Sequence, residues 1–296
     1  PIGPGYAEFY LDVPEPARRA AATFLHDTLC VGAAGARAPH AEQVLQAARA
    51  WGAGGTAGVL GRAGERLPQP SAAFVNAFQI HAQEFDCVHE AAVVHPLATT
   101  AAALLSEVER RGGVSGEALL AALVVAVDTA AGLGVAAKTS LKFFRPATAG
   151  IFGCVAGLAR LRGLDEGATL DAFGYALAFA SGTMQAHAEG KPALPVQIAN
   201  AARGAVAAVD LAEAGLPGPH AALDGPFGYL PLFETGFDLK PVTDDLGRVF
   251  RIAEVSWKPF PTGRAAHGGI VALQTLMAEH GLTAAEVAQA VYRAPP

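Results

Sequence analysis

The stretch 118–137, ALLAALVVAVDTAAGLGVAA, decides the architecture. It is long and apolar enough to span a bilayer, yet Asp128 stands in its middle and much of its apolar character comes from alanine. A charge at bilayer depth is expensive, whereas alanine favours helix and lets helices approach closely. The stretch therefore predicts a core helix in a densely packed helical body, with no membrane partner.

Helical spacing continues on both sides. Phe74, Phe78, His81 and Phe85 share one face, as do Leu97, Ala101, Leu104, Leu105 and Val108. Further helices are expected near 15–34, 117–137, 148–162, 169–181 and 197–214, separated by Gly, Pro or Asp-rich breaks. After Gly215 the texture changes: Pro217, Pro219, Pro226, Pro231 and Pro241 punctuate a segment that no continuous helix can occupy. Beyond it Val249–Trp257 reads as a strand, Ala265–His280 as a helix and Val287–Arg293 as a second strand. The expectation is a mainly α protein: a large all-helical domain over 1–225, then the start of a smaller α+β lid domain over 226–296. That lid is expected to be partial, because its strands lack the partners a free-standing sheet needs.

Composition narrows the function. Of 296 residues, 52% are hydrophobic and 16% charged, which excludes a disordered or coiled-coil chain. A net charge of -6 without long blocks leaves no electrostatic footprint for nucleic acid, so an anionic ligand has to be attracted by local Arg and Lys. Cys30, Cys87 and Cys154 are widely spaced, odd in number and form no CxxC pair, which predicts a reducing, cytoplasmic setting. No basic segment followed by an apolar run opens the chain, so secretion is not expected.

Between His81 and Pro96 three histidines and three acids are crowded together: His81, Glu84, Asp86, His89, Glu90 and His95. One helix is expected to end near Phe85 and the next to start at Pro96, which puts His95 at an N-cap. There the helix dipole disfavours a charged imidazole and leaves a neutral base able to accept a proton; a histidine that merely caps the helix is the plain alternative. The cluster also suits a metal, but the HExxH spacing that sets two ligands on one helical face is absent, and no metal is expected. Cys87 beside His89 suggests a thiolate nucleophile, against which packing is the simpler reading.

Two further segments gather cations. Phe143-Phe144-Arg145-Pro146-Ala147-Thr148-Ala149-Gly150 lies between helices, with Thr148 a candidate N-cap; Arg145 and Lys142 beside exposed N–H groups would cradle a carboxylate, or simply flank a capped helix. Trp257-Lys258-Pro259-Phe260-Pro261-Thr262-Gly263-Arg264-Ala265-Ala266-His267 is a Pro-fixed turn that carries Lys, Arg and His into a helix start, where cations oppose the dipole and an anionic ligand would explain them. Gly52-Ala53-Gly54-Gly55 and Gly58 do not form a dinucleotide loop, because Ala41–Trp51 before them reads as helix instead of the required strand.

In order along the chain, Glu84-Phe85-Asp86-Cys87-Val88-His89 with His95-Pro96, Thr148-Ala149-Gly150-Ile151-Phe152-Gly153, Gly218-Pro219 with Gly225-Pro226-Phe227-Gly228, and Lys258 through His267 resemble the MmgE/PrpD family. Its motifs there are a DFDDTH-like run ending in HP, a TAG-x-FG helix start, a Gly-Pro then Gly-Phe-Gly stretch, and KPYP-x-x-R-x-x-H. The family includes 2-methylcitrate dehydratase, cis-aconitate decarboxylase and iminodisuccinate epimerase. The resemblance implies a helical domain with a smaller lid, a site in the cleft between them, a homodimer, no cofactor, and a lyase or isomerase that moves a proton next to a carboxylate of a small di- or tricarboxylic acid. By similarity the catalytic residues are His95, Lys258, Glu84 and Asp86; the expected substrate-binding set is Arg264, His267, Arg145, Lys142, His89 and Lys191. Four positions depart from the family pattern: Phe144 stands where members often carry His, Val88 where they carry Thr, Leu194 where they carry Lys, and Gly263 where the decarboxylase carries His. A catalytically silent binding or assembly protein and a metal-dependent hydrolase are the readings of other classes.

Overall fold

The computed structural model describes residues 13–293, and it is mainly α-helical. The long helices are α1 (Glu15–Gly35), α2 (Ala41–Ala50), α3 (Gln69–His81), α4 (Pro96–Arg110), α5 (Gly116–Ala136), α6 (Gly150–Arg162), α7 (Glu166–Phe179), α8 (Ala193–Glu213) and α9 (His267–Glu279). The single sheet among the described residues is a hairpin of β1 (Ala57–Val59) and β2 (Arg62–Leu67).

At the centre lies α3, whose residues from Ser71 to His81 are all buried between α1, α4 and α8. The decisive stretch forms α5, which packs on α4 and α6. It is the one helix among the described residues long and apolar enough to cross a membrane, and 67% of its most apolar window is covered by the protein itself. Its partner α6 carries Gly153 and Gly157 on the facing side. A Cβ at Gly153 would stand 2.5 Å from the Ala126 carbonyl oxygen, and one at Gly157 2.9 Å from Ala126 Cβ. Small residues on both helices bring the two backbones together, so alanine here packs backbone against backbone. Asp128, the charge inside this apolar helix, accepts from the Arg251 backbone N–H at 3.1 Å and lies 3.3 Å from its guanidinium. The other arm of Arg251 reaches Asp245 at 3.1 Å.

Several sequence expectations change in the last quarter of the chain. Val249–Trp257 does not form a strand: Arg251–Glu254 tightens into a 3-10 turn because Arg251 is drawn into the core by Asp128, and Ile252 is buried beside it. No strand forms over 287–293 either. Thr148 is not an N-cap; α6 starts from Ala149, and the Thr148 hydroxyl lies 3.3 Å from the Tyr229 hydroxyl. The β1–β2 hairpin is not visible as alternating hydrophobicity. Side chains of α3 hold it instead: Asn76 and Gln79 bond the backbone of Leu60 and Gly58.

Candidate active site

The loop 82–95 joins α3 to α4, and it is shaped by backbone bonds that the helices do not use. His89 and Val94 pair across a turn (N–H to O, 2.9 Å), with Val93 in the left-handed region, and so return the chain to the start of α4. The same loop pairs with the C-terminal segment: Val88 and Ser256 exchange both N–H to O bonds, at 3.0 and 2.9 Å, as an antiparallel bridge. Antiparallel register then sets Asp86, two residues before Val88, opposite Lys258, two after Ser256. A contact between residues 172 positions apart thus follows from one bridge (258 minus 86).

Five polar groups converge there. The fully buried His81 directs Nδ1 at both Asp86 carboxylate oxygens, 3.1 and 3.0 Å away. His95 Nδ1 lies 3.1 Å from Asp86 Oδ2, though off the line of an ideal hydrogen bond, and the two imidazoles meet edge to face with centroids 4.9 Å apart. Lys258, its side chain wholly buried, donates to the Glu84 carboxylate at 2.9 Å and to the Glu84 carbonyl at 3.0 Å, with Asp86 at 3.9 Å. Glu84 reaches this position with φ 52°, a left-handed conformation costly for a non-glycine residue and typical of over-determined sites. His95 does occupy the N-cap of α4, but its side chain makes no capping bond and turns to Asp86 instead.

The charges explain each other. Burial opposes the Asp86 carboxylate, yet His81 and His95 outweigh it and hold Asp86 well below the usual carboxylate range. Burial likewise opposes a charged His81, but the carboxylate and hydrogen bond of Asp86, with Glu84 beyond, raise it above the ordinary histidine value. Glu84 is lowered: burial works against ionisation, and His81, Lys258 and His95 prevail. Asp27 on α1 is raised by burial and then by Asp86, which makes it a further acid feeling this cluster. Cys87 is buried, and burial with Asp86 and Asp27 pushes its thiol well up, so a thiolate is disfavoured and the packing reading stands.

Donor atoms of His81, Asp86 and His95 lie within 4.8 Å of one another, a spacing that a cation could use. The Lys258 ammonium, 3.9 Å from Asp86, already supplies positive charge there and would repel a dication. The arrangement suits a proton better than a metal.

The remaining expected residues divide. Arg145, expected to clamp a substrate carboxylate, holds one of the protein's own: it is buried, paired with Glu234 at 2.8 and 3.0 Å, and donates to the Thr139 and Ala92 carbonyls. His89 is likewise engaged. The Ala92 N–H donates to its Nδ1 at 3.1 Å, so Nε2 carries the hydrogen that it offers to Glu254 at 3.0 Å. Arg264 and His267 form a separate unit: Arg264 donates to Glu90 at 2.7 Å and lies 3.1 Å from His267 Nδ1, while His267 Nε2 donates to the Thr262 carbonyl at 3.2 Å. Neither hydrogen bonds to the central five. Lys142 and Lys191 are exposed, and their backbones help fold the loop around Gln185–Ala188. Of the departures, Phe144 is buried with its ring 5.9 Å from that of His81, Val88 works through its backbone, Leu194 is half-buried, and Gly263 faces open space.

His81 stands on the apolar face of α3 and at the head of the crowded segment, and it is the one of the five that the expected catalytic and binding sets left out. Its signal was a polar residue on an otherwise apolar face, which periodicity alone does not distinguish from packing.

Comparison with known proteins gives the family. The family model described as MmgE/PrpD N-terminal domain matches residues 9–242, and the chain belongs to the MmgE/PrpD family. It is similar to the "Cis-aconitate decarboxylase-like protein oryM" of Aspergillus oryzae, 32% identical over 282 residues, covering 90% of this chain and 58% of that protein. It is also similar to the cis-aconitate decarboxylases of Mus musculus (28% over 252 residues, 81% of this chain and 50% of the relative) and Aspergillus terreus (27% over 284 residues, 91% and 58%). The chain spans about half the length of the curated relatives it matches.

Proposed function

We propose that the protein is a cofactor-free carboxy-lyase or related proton-transfer enzyme acting on a small di- or tricarboxylic acid. The observation that carries this reading is the junction of His95, Asp86 and Lys258 across two distant segments, with His95 the more open of the two imidazoles at 15% side-chain exposure against 0% for His81. Asp86 Oδ2 lies 3.1 Å from Nδ1 of His95 and favours the hydrogen on that nitrogen, which would leave Nε2 with the lone pair a general base needs. In decarboxylation the bond from carbon to the departing carboxylate breaks, carbon dioxide leaves, and the electron pair remains as an enolate-like anion on the neighbouring carboxyl. Lys258 stabilises that charge, and His95, having taken a proton from solvent beforehand, donates it to the carbon that lost carbon dioxide and is left neutral. Dehydration or epimerisation draws on the same intermediate after proton abstraction by His95. Glu84 holds Lys258 in place, and Arg264 with His267 supplies a carboxylate-binding rim.

The relatives named cis-aconitate decarboxylase support the choice of lyase chemistry. Family resemblance supports a homodimer, which sedimentation analysis checks. One observation favours a second reading, a catalytically silent binding protein: Arg145, Lys258 and Arg264 are each paired with a carboxylate of the protein, and Phe144 brings an apolar ring beside His81. Incubating the chain with cis-aconitate and other di- and tricarboxylates in heavy water, followed by NMR, separates the two. Carbon dioxide loss or deuterium incorporation next to a carboxylate supports the enzyme. Thermal stabilisation by the same acids with neither change supports the silent protein.

A further inference from the structure

We propose that His81 is a positioning residue of this site: from behind Asp86 it fixes the carboxylate so that one oxygen meets Nδ1 of His95, committing Nε2 of His95 to proton transfer. The proposal rests on the function given above and assigns it a residue that does not itself meet the substrate.

The geometry is specific. A single His81 nitrogen stands 3.0 and 3.1 Å from the two oxygens of Asp86, so the carboxylate cannot rotate about its axis without losing a buried hydrogen bond. The same Oδ2 that is 3.0 Å from His81 is 3.1 Å from His95 Nδ1, so one oxygen is shared between an enclosed imidazole and a more open one. The far nitrogen of His81 lies 3.4 Å from Glu84 Oε1 without linear alignment, and the Phe144 ring covers its flank. The charged groups around His81 are therefore Asp86 and Glu84, which favour its cationic form, and Lys258, which opposes it; His95 stands edge-on and Asp27 acts on Asp86 from α1. The acids prevail and raise His81, which keeps Nδ1 a donor and Asp86 an acceptor while His95 gains and loses its proton. A histidine that served only the packing of α3 would need neither carboxylate.

Nitrogen-15 NMR of the imidazole rings tests this without turnover. In the wild-type chain His95 is expected as the Nδ1–H tautomer in its neutral form and His81 as an Nδ1 donor. Should His95 instead carry its hydrogen on Nε2, the proposal is overturned, whether or not any variant folds. His81→Leu removes the donor and His81→Asn retains an amide donor of shorter reach. The expected result is a mixed His95 tautomer in His81→Leu, a fall in kcat of about 10- to 100-fold with KM changed less than about threefold, as for loss of an outer-shell orienting partner, and partial recovery of both tautomer and kcat in His81→Asn. Unchanged His95 tautomer and pH–rate profile in a folded His81→Leu would overturn it. If the tautomers are as expected but no carboxylate exchanges its proton, the proposed function fails while the positioning role stands.

Discussion

Two apolar helices meet opposite fates in this protein. The central helix α5 buries most of its length, including Asp128, whereas α9, with the sequence HGGIVALQTLMAE, buries only His267 and leaves Val271 and Leu276 about half exposed. The helix α5 is longer and more apolar, but apolar character alone does not bury a helix. What separates them is the partner: α5 faces the glycines of α6, while α9 touches the turn that precedes it and Tyr292, whose hydroxyl donates to the Ala265 carbonyl at 2.9 Å. The lesson is that the C-terminal segment has no apolar core of its own: Ile252 and Val255 dock it into the main core, and the buried Arg251 and Lys258 fasten it by polar bonds.

The comparison breaks most readily at those anchors. Arg251→Ala removes the guanidinium partner of the buried Asp128, and chemical denaturation should show a loss of about 3–5 kcal/mol. Leu123→Ala, at a fully buried position of α5, should cost about 2–5 kcal/mol by the same measurement, as expected for a large-to-small change in a core. At the other extreme, Leu276→Ser on α9 should stay within about 0.5 kcal/mol. A large destabilisation there would mean that α9 is covered by something that the described contacts do not contain.

Acidity sharpens the same contrast, because the anchor Lys258 ends in a titrating cluster. Asp86 is lower when folded than when unfolded, so its contribution to stability is present above about pH 4 and drains away as the pH falls through the folded value. His81 is higher when folded, so its contribution is present below about pH 6.5 and is lost as the pH rises through the raised value. The stability difference between wild type and Asp86→Asn should therefore be greatest between those limits and shrink on both sides, as measured by denaturant titrations across pH. A difference that does not vary with pH would contradict the ionised pair.

The sequence spoke most clearly where a residue's own covalent chemistry dictates local structure. Pro96 has no N–H to leave unsatisfied at a helix start, so the N-cap position of His95 was readable, as were the helical periods of α1, α4 and α8. Long-range partners were not readable. The Val249–Trp257 alternation reads as strand, yet Asp128, more than a hundred residues earlier, draws Arg251 into a tight turn. Likewise no local pattern shows that Glu234 claims Arg145 or that Glu254 claims His89. The chemistry-bearing residue types were legible as a crowded segment, and the resemblance supplied Lys258. Which of them meet Lys258 depended on one bridge between Val88 and Ser256.

The central claim is that His95, oriented by Asp86 beside Lys258, moves a proton at carbon. Its most direct measurement is the rate of deuterium exchange or carbon dioxide release from a carboxylate substrate in wild type and in His95→Gln, with thermal unfolding as the control for folding. The account predicts a fall of about 10²- to 10⁴-fold, the range for loss of a general acid–base group, with an unfolding temperature close to wild type. A folded His95→Gln that turns over at the wild-type rate would contradict it.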